Sequence, residues 1–309
     1  MTVIFEEGDV VGGRFTILSL LGAGGMGAVY HSTDRVRGHD VALKFALPSE
    51  EGSDRNVFLR CEAEALKRLA HAAIPKLFDE GTDDNGLAYF SMEYFEATSL
   101  RSLIASSELP PLEVRMKWLE ELCDILAHIH QRGFLYCDLK PDNILVLSKP
   151  TAGMQIRLVD FGIATPAGHE PLEEVLKARG TTAYMSPEQH RRKVLDARSD
   201  IYSFGVVAFE LLTGTRPFAV SHEMATDIAQ EVKLSYMHMG AKRPAARERN
   251  ADVPKDLSLL IEVCMARSRK ERFDTIVELQ ECLQDISSRP KRYLDFSRRL
   301  RSYFRDLLP

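Results

Sequence analysis

The sequence has no CxxC pair, no HExxH and no apolar run near the roughly 20 residues that a membrane-spanning helix needs. Its longest apolar stretches, such as Phe204 to Leu212, fall far short of that. Cysteine is sparse and odd in number: Cys61, Cys123, Cys137, Cys264 and Cys282 lie far apart. That spacing excludes a disulfide framework and a zinc ribbon, and points to reduced thiols in a cytosol. The nine histidines form no pair with a nearby cysteine, so no structural metal is expected. The first ten residues, MTVIFEEGDV, carry acids where a secretory signal would be positive. Together these absences lead to the expectation of a soluble, cytoplasmic protein. Positive charge is short as well. The net charge is −5, yet Arg289 to Pro309 holds seven Lys/Arg against two Asp/Glu, a local +5 that leaves −10 on the rest. An acidic body argues against nucleic acid as a partner. At 309 residues, 45% of them hydrophobic, the chain can bury an ample core without cross-links.

What is present changes character along the chain. The first third reads as strands: Arg14 to Leu20, Ala28 to Ser32 after a Gly-rich turn, Asp40 to Ala46, Lys76 to Glu80 and Leu87 to Tyr94. Between them Phe58, Cys61, Ala65, Leu66 and Leu69 recur at helical spacing. After Phe95 helices dominate. Glu113 to Arg132 is amphipathic and stops at Gly133. Ile201 to Leu212 is apolar nearly all round, the mark of a buried helix, and further helices are expected at Leu257 to Met265 and Ile276 to Ile286. Strands followed by helices predict an α+β protein of two lobes with a cleft between them.

Four motifs carry chemistry. Gly22-Ala23-Gly24-Gly25-Met26-Gly27-Ala28-Val29 is a GxGxxGxV loop, whose glycines let backbone N–H groups approach phosphate oxygens. By itself it could be a plain Gly-rich hairpin or a dinucleotide fingerprint, but the latter opens a helix, and here Val29-Tyr30-His31 continue as a strand. In Val41-Ala42-Leu43-Lys44 a lysine ends an apolar run and needs a carboxylate to justify burial. Glu62 on the next helix is the candidate. Glu64, two residues on, points off that face. Tyr136-Cys137-Asp138-Leu139-Lys140-Pro141-Asp142-Asn143 gathers a carboxylate, an ammonium and an amide within six residues, and Leu158-Val159-Asp160-Phe161-Gly162 ends a strand with a carboxylate. A base, a phosphate-binding cation and ligands for Mg²⁺ are what phosphoryl transfer requires. Either segment alone could be a polar turn; order and spacing together argue otherwise.

These residues resemble the protein kinase signature set, and the chain is similar to the bacterial eukaryotic-like (Hanks-type) serine/threonine kinases from about Phe15 to about Ile286. Gly180-Thr181-Thr182-Ala183-Tyr184-Met185-Ser186-Pro187-Glu188 resembles the family's GTxxYxxPE segment, Ser199 to Gly205 the start of its central helix, and Arg272 the arginine paired with the Glu of that segment, here Glu188. The resemblance implies a bilobal fold: a small lobe over 1–95, a helical lobe over 96–288, and a basic amphipathic tail over 289–309. It implies ATP and Mg²⁺ as cofactors, with Mn²⁺ an alternative metal. Lys44, held by Glu62, would bind the α- and β-phosphates. Asp138 would accept the acceptor hydroxyl's proton, Lys140 would neutralise the transferring group, and Asn143 and Asp160 would hold the metal. Gly22, Ala23, Gly24, Gly25 and Gly27 would cover the phosphates. Val29, Ala42 and Leu145 would sandwich adenine, with Met92 as gatekeeper and Glu93 to Phe95 as the hinge. Lys140 and Thr181 would favour serine or threonine in protein substrates, with acceptor selection near Thr181 to Ser186.

The chain departs from the family at two points. His-Arg-Asp here reads Tyr136-Cys137-Asp138, so the arginine that binds an activation-loop phosphate is lost. Between Thr165 and Thr181 there is also no Ser, Thr or Tyr; Glu170 to Val175 stands there instead. Both absences predict activity without activation-loop phosphorylation, with Glu173 or Glu174 a weak stand-in for the phosphate or simply facing solvent. In the tail, Tyr293, Phe296, Leu300, Tyr303, Phe304, Leu307 and Leu308 recur at helical spacing among arginines. This suggests peripheral membrane or partner contact, or else packing on the acidic body or a cut linker into a further region. The competing functions are a pseudokinase, disfavoured by the full set Lys44, Glu62, Asp138, Lys140, Asn143 and Asp160, and a small-molecule kinase, disfavoured by Lys140 and the Glu188–Arg272 pair.

Overall fold

The structure is a computed structural model that describes residues 5–24, 27–46, 55–83, 86–166, 182–220 and 227–288. The readings on Gly25, Thr181, Glu173, Glu174 and the tail 289–309 fall outside those residues. The elements run β1 (Val10–Val11), β2 (Phe15–Gly24), β3 (Gly27–Asp34), β4 (His39–Phe45), α1 (Arg55–Arg68), β5 (Leu77–Thr82), β6 (Ala88–Glu93), β7 (Ala97–Ser99), α2 (Leu100–Ser106), α3 (Leu112–Gln131), β8 (Phe134–Leu135), β9 (Ile144–Thr151), β10 (Met154–Leu158), β11 (Thr165–Pro166), α4 (Pro187–His190), α5 (Ala197–Thr213), α6 (Asp227–Gly240), α7 (Ala246–Arg249), α8 (Lys255–Cys264) and α9 (Ile276–Ser288). A 3₁₀ turn, Pro141–Asn143, precedes β9. The first lobe is a six-stranded sheet in the order β1-β2-β3-β4-β6-β5, with α1 against it; the second is helical and carries two small sheets, β10-β9-β7 and β11-β8.

Side chains alternate across a strand, and that alternation decides what the first sheet offers to the seam between lobes. On β4, Val41, Leu43 and Phe45 join Phe15, Ile17, Ala28 and Tyr30 in one core on the outer face. Ala42 faces the other way, with Phe90 and Met92 of β6, into the main core. Lys44 is two residues from Ala42 and so shares its face, opposite Val29 on β3 and Phe90 on β6 in the strand register. The pleat therefore carries a cation to the inner side of the sheet, toward α1.

In the second lobe α5 is the axis. Every residue from Ser199 to Leu212 is buried. Its start is capped by the Asp196 side chain, and its end by Gly214 in the left-handed region, φ 73°. A Cβ on Gly205 would lie 2.7 Å from Cys264 Cβ and 2.9 Å from Met265 Cγ, so glycine is what lets α5 meet the end of α8. Two histidines lie beside this axis: His190 on α4 and His238 on α6, ring centroids 5.4 Å apart. His238 Nδ1 lies 2.8 Å from the Tyr202 hydroxyl. Burial pushes their pKa values down, to about 4 for His190 and about 3 for His238. Both are neutral in the folded chain at pH 5, whereas the unfolded chain, titrating near 6.5, takes up protons there. Stability therefore falls as pH drops below that value, by about 2 kcal/mol per histidine at pH 5. Thermal melts at pH 7 and pH 5 are expected to show this drop, and His190→Gln to shrink it; a melting temperature flat over that interval would contradict the burial argument.

Candidate active site

Lys44 joins the two lobes. Its Nζ lies 2.6 Å from Glu62 Oε2 on α1 and 2.9 Å from Asp160 Oδ1, just past β10. The lysine and Glu62 side chains are 7% and 2% exposed and that of Asp160 32%, so the bridge sits at the edge of the seam. Burial alone would lower the lysine pKa, but Asp160 and Glu62 outweigh it and hold the ammonium well above its ordinary value. Burial likewise works against the charged form of Asp160, and Lys44, then Lys140, overcome it, so that carboxyl stays below the usual range. Glu62 is pushed up by burial against the pull of Lys44. Its second oxygen accepts the backbone N–H of Phe161 at 3.2 Å, which ties α1 to the residue after Asp160. Glu64 points away and bonds Arg68 at 2.8 Å.

The second half of the site is the loop from Tyr136 to Asn143. Lys140 Nζ lies 2.6 Å from Asp138 Oδ2. Asn143 Nδ2 donates to the Asp138 backbone carbonyl at 3.0 Å and to its carboxylate at 3.1 Å. The nitrogen end of that amide is thus committed, which leaves the oxygen end to meet a cation. Two bonds join this loop to the strand leading to Asp160: Val159 N–H donates to the Asn143 carbonyl at 3.0 Å, and the Tyr136 hydroxyl donates to the Val159 carbonyl at 2.5 Å. Tyr136 also meets Phe161 edge to face, centroids 5.2 Å apart. Asp138, Lys140, Asn143, Asp160, Lys44 and Glu62 therefore form one connected array.

The other sequence-selected residues are placed as follows. Gly22, Ala23 and Gly24 end β2 and Gly27 opens β3, with Ala23 opposite Ala28 and Gly24 opposite Gly27. A Cβ on Gly22 or Gly24 would meet nothing within 4 Å, so neither position is crowded by the described residues. Gly27 is different: its Cβ would fall 2.2 Å from the Phe45 carbonyl oxygen, and β4 alone forbids a side chain there. Val29 and Ala42 lie on adjacent strands, with Ala42 opposite Met92 on β6 and Val41 opposite Glu93. Phe95 lies in the connector after β6, and the Arg157 guanidinium stands 5.4 Å from its ring centroid. Leu145 is on β9, opposite Ser99 of β7 and Arg157 of β10.

Cys137, in place of the expected arginine, is 3% exposed and packs with Leu135, Ile163 and Leu195 in a small apolar cluster. Burial pushes its thiol well up. Ile163 lies three residues past Asp160, so an apolar contact joins the catalytic loop to the start of the activation segment. Downstream, Arg272 pairs with Glu188 at 2.6 and 2.9 Å, and Ser199 donates to the same carboxylate at 2.8 Å.

Sequence reasoning missed Asp200. It is fully buried in α5 and accepts the backbone N–H groups of Tyr136 at 2.9 Å and Cys137 at 2.8 Å, with His130 Nε2 2.8 Å away. The signal was there: a carboxylate inside an otherwise apolar helix must find donors to be buried.

A small curled sheet over a helical lobe, with a lysine bridging two carboxylates at their junction, defines a protein kinase domain. The protein kinase domain family matches residues 15–285, and the chain belongs to it. Membership implies ATP and a divalent metal. Over 277 residues the chain is 33% identical to serine/threonine-protein kinase PrkC of Bacillus subtilis, covering 88% of this chain and 40% of that protein. It is 30% identical over 281 residues to serine/threonine-protein kinase PknB of Mycobacterium leprae, covering 89% and 43%. The chain thus spans about two fifths of the length of the curated relatives it matches. The PknI kinase domain of Mycobacterium tuberculosis, crystallised as a double mutant, superposes with a TM-score of 0.69 at 24% identity, over 92% of this chain and all of that one. Among the described residues no helix is long and apolar enough to cross a membrane.

Proposed function

We propose that this chain is the catalytic domain of a serine/threonine protein kinase, moving the γ-phosphate of ATP onto hydroxyls of protein substrates. The observation that carries the reading is the continuous array from Glu62 through Lys44 and Asp160 to Asn143, Asp138 and Lys140. The residues fit the nucleotide and metal. Gly22 and Gly24 leave room where phosphates would approach, the Lys44 cation is held in the seam, and Asp160 with the Asn143 amide offers hard oxygen donors suited to Mg²⁺, or to Mn²⁺. Asp160 and Asn143 would hold such a cation, whose charge would offset that of the phosphates.

In this reading Lys44, steadied by Glu62, binds the α- and β-phosphates. Val29, Ala42, Met92 and Leu145 flank adenine, and the backbone from Glu93 to Phe95 meets its edge. Asp138 orients the acceptor hydroxyl and takes its proton, and Lys140 balances charge on the group in transit. The division into lobes at about residue 95 belongs to the same proposal. Transfer from γ-labelled ATP to the chain itself and to generic protein acceptors tests it; no transfer to any acceptor with either Mg²⁺ or Mn²⁺ would overturn it.

The kinase is also proposed to work without phosphate on its activation segment. Cys137 offers no charge to a phosphate, and its apolar contact with Ile163 and Leu195 supplies another tie between catalytic loop and segment. Phosphatase-treated protein is expected to keep its transfer rate. Loss of activity on treatment, with phosphate mapped between Asp160 and Ala178, would refute this.

A further inference from the structure

Gln189 is the third residue of α4 and is 5% exposed. The two ends of its amide meet two different parts of the site. Oε1 accepts the backbone N–H of Ser186 at 2.8 Å and the Ser186 hydroxyl at 3.0 Å. Nε2 donates to the backbone carbonyl of Cys137 at 2.9 Å. One side chain therefore spans from the segment that ends at Ser186, where the family resemblance places acceptor selection, to the residue immediately before Asp138.

The carbonyl it holds belongs to a strained residue. Cys137 has φ 66°, the left-handed region that a side chain other than glycine's occupies at a cost. The peptide joining 137 to 138 sets the direction in which Asp138 leaves the backbone. Asp200 grips the N–H groups of Tyr136 and Cys137; Gln189 grips the carbonyl that follows. Capping of α4 accounts for the Oε1 contacts of Gln189 alone. A capping box needs an acceptor at the third position and works with glutamate as well as glutamine. The Nε2 bond to Cys137 requires the amide.

We propose that Gln189 is a positioning residue for phosphoryl transfer, holding the peptide in front of Asp138 at a fixed place relative to the acceptor segment. The proposal rests on the protein kinase reading and adds a coupling between its acceptor and base. Gln189→Glu separates the two roles, because the carboxylate keeps the cap and loses the donor. At pH 8 its kcat toward a protein acceptor is expected to fall about 10²-fold, the penalty typical of a misplaced reacting group, with KM for ATP unchanged. As pH falls toward 6 the buried carboxyl regains a proton and a donor, so kcat recovers relative to wild type at the same pH. Gln189→Met, of similar shape with neither polar end, should show the loss at every pH. Wild-type kcat in either folded variant overturns the proposal. So does unfolding of both, which would make Gln189 a residue of the fold alone. Wild-type protein inactive toward every acceptor would instead count against the kinase reading itself.

Discussion

Asp138→Asn is expected to lower phosphoryl transfer by about 10²–10⁴-fold, the contribution usual for a positioned general base, while nucleotide affinity and melting temperature stay near those of the wild type. The substitution is nearly isosteric. The Asn143 nitrogen can still donate to the backbone carbonyl of residue 138, a bond of 3.0 Å that does not involve the carboxylate. The change is chemical: an amide has no charge to draw a proton from the acceptor hydroxyl, and Lys140, 2.6 Å from the carboxylate, loses its counter-ion. The nucleotide side of the array, Lys44 with Glu62 and Asp160, is untouched. Initial rates with labelled ATP, alongside calorimetric ATP binding and a thermal melt, measure all three quantities. Equal transfer by both proteins would assign the signal to a contaminant and return the chain to the pseudokinase alternative.

Arg272→Ala should destabilise the fold by about 3–5 kcal/mol, the cost of leaving a buried charge without its partner. The guanidinium is fully buried and the Glu188 side chain is 5% exposed. Burial would raise the Glu188 pKa, but the two bonds from Arg272 outweigh it and hold the carboxyl below its ordinary value. Such a depressed acid stabilises the protein above its unfolded pKa, and that stability is lost as pH falls through the folded one. Without Arg272 the sign reverses: Glu188 must be buried charged with no counter-ion, keeping only the Ser199 hydroxyl, or be protonated. Arg272 also donates to the carbonyls of Ala266 and Arg198 at 2.7 Å each, so those groups lose a partner too. Urea denaturation measures the loss. A double change, Arg272→Met with Glu188→Leu, should cost less than Arg272→Ala alone, because it removes both charges together. A single-site loss under about 1 kcal/mol, the range of exposed pairs, would mean that water reaches the pair.

Much of this arrangement was legible in the sequence because short motifs fix their own local geometry. An apolar run ending in lysine becomes β4, and alternation sends Lys44 inward. Glu62 and Glu64 are told apart by helical spacing. The apolar stretch at Ile201 to Leu212 becomes α5, extended to Ala197 by a cap at Asp196. What was not legible depends on distant partners. That Asp200 needs donors could be read, but not which ones: its partners, like the far partner of Gln189, are there only because the loop at Tyr136 and Cys137 lies beside them. Gly27 sits within the glycine-rich motif read as a phosphate loop, yet the close passage of Phe45 on β4 is reason enough for its glycine. Helix α6 escaped notice because its residues are mostly half-exposed and its apolar stripe is weak. The hairpin of β9 and β10 extends through Ser148, Lys149 and Thr151, exposed polar positions that carry no apolar pattern to mark a strand.

Asp200 has one more consequence. The backbone in front of Asp138, with Cys137 in the left-handed region, hangs by two amide protons from a carboxylate in a helix whose residues from Ser199 to Leu212 are all buried. The geometry of that loop and the folding of the larger lobe therefore share an anchor. Heat should leave the reactive geometry intact until the whole larger lobe gives way, so that inactivation and melting follow one curve.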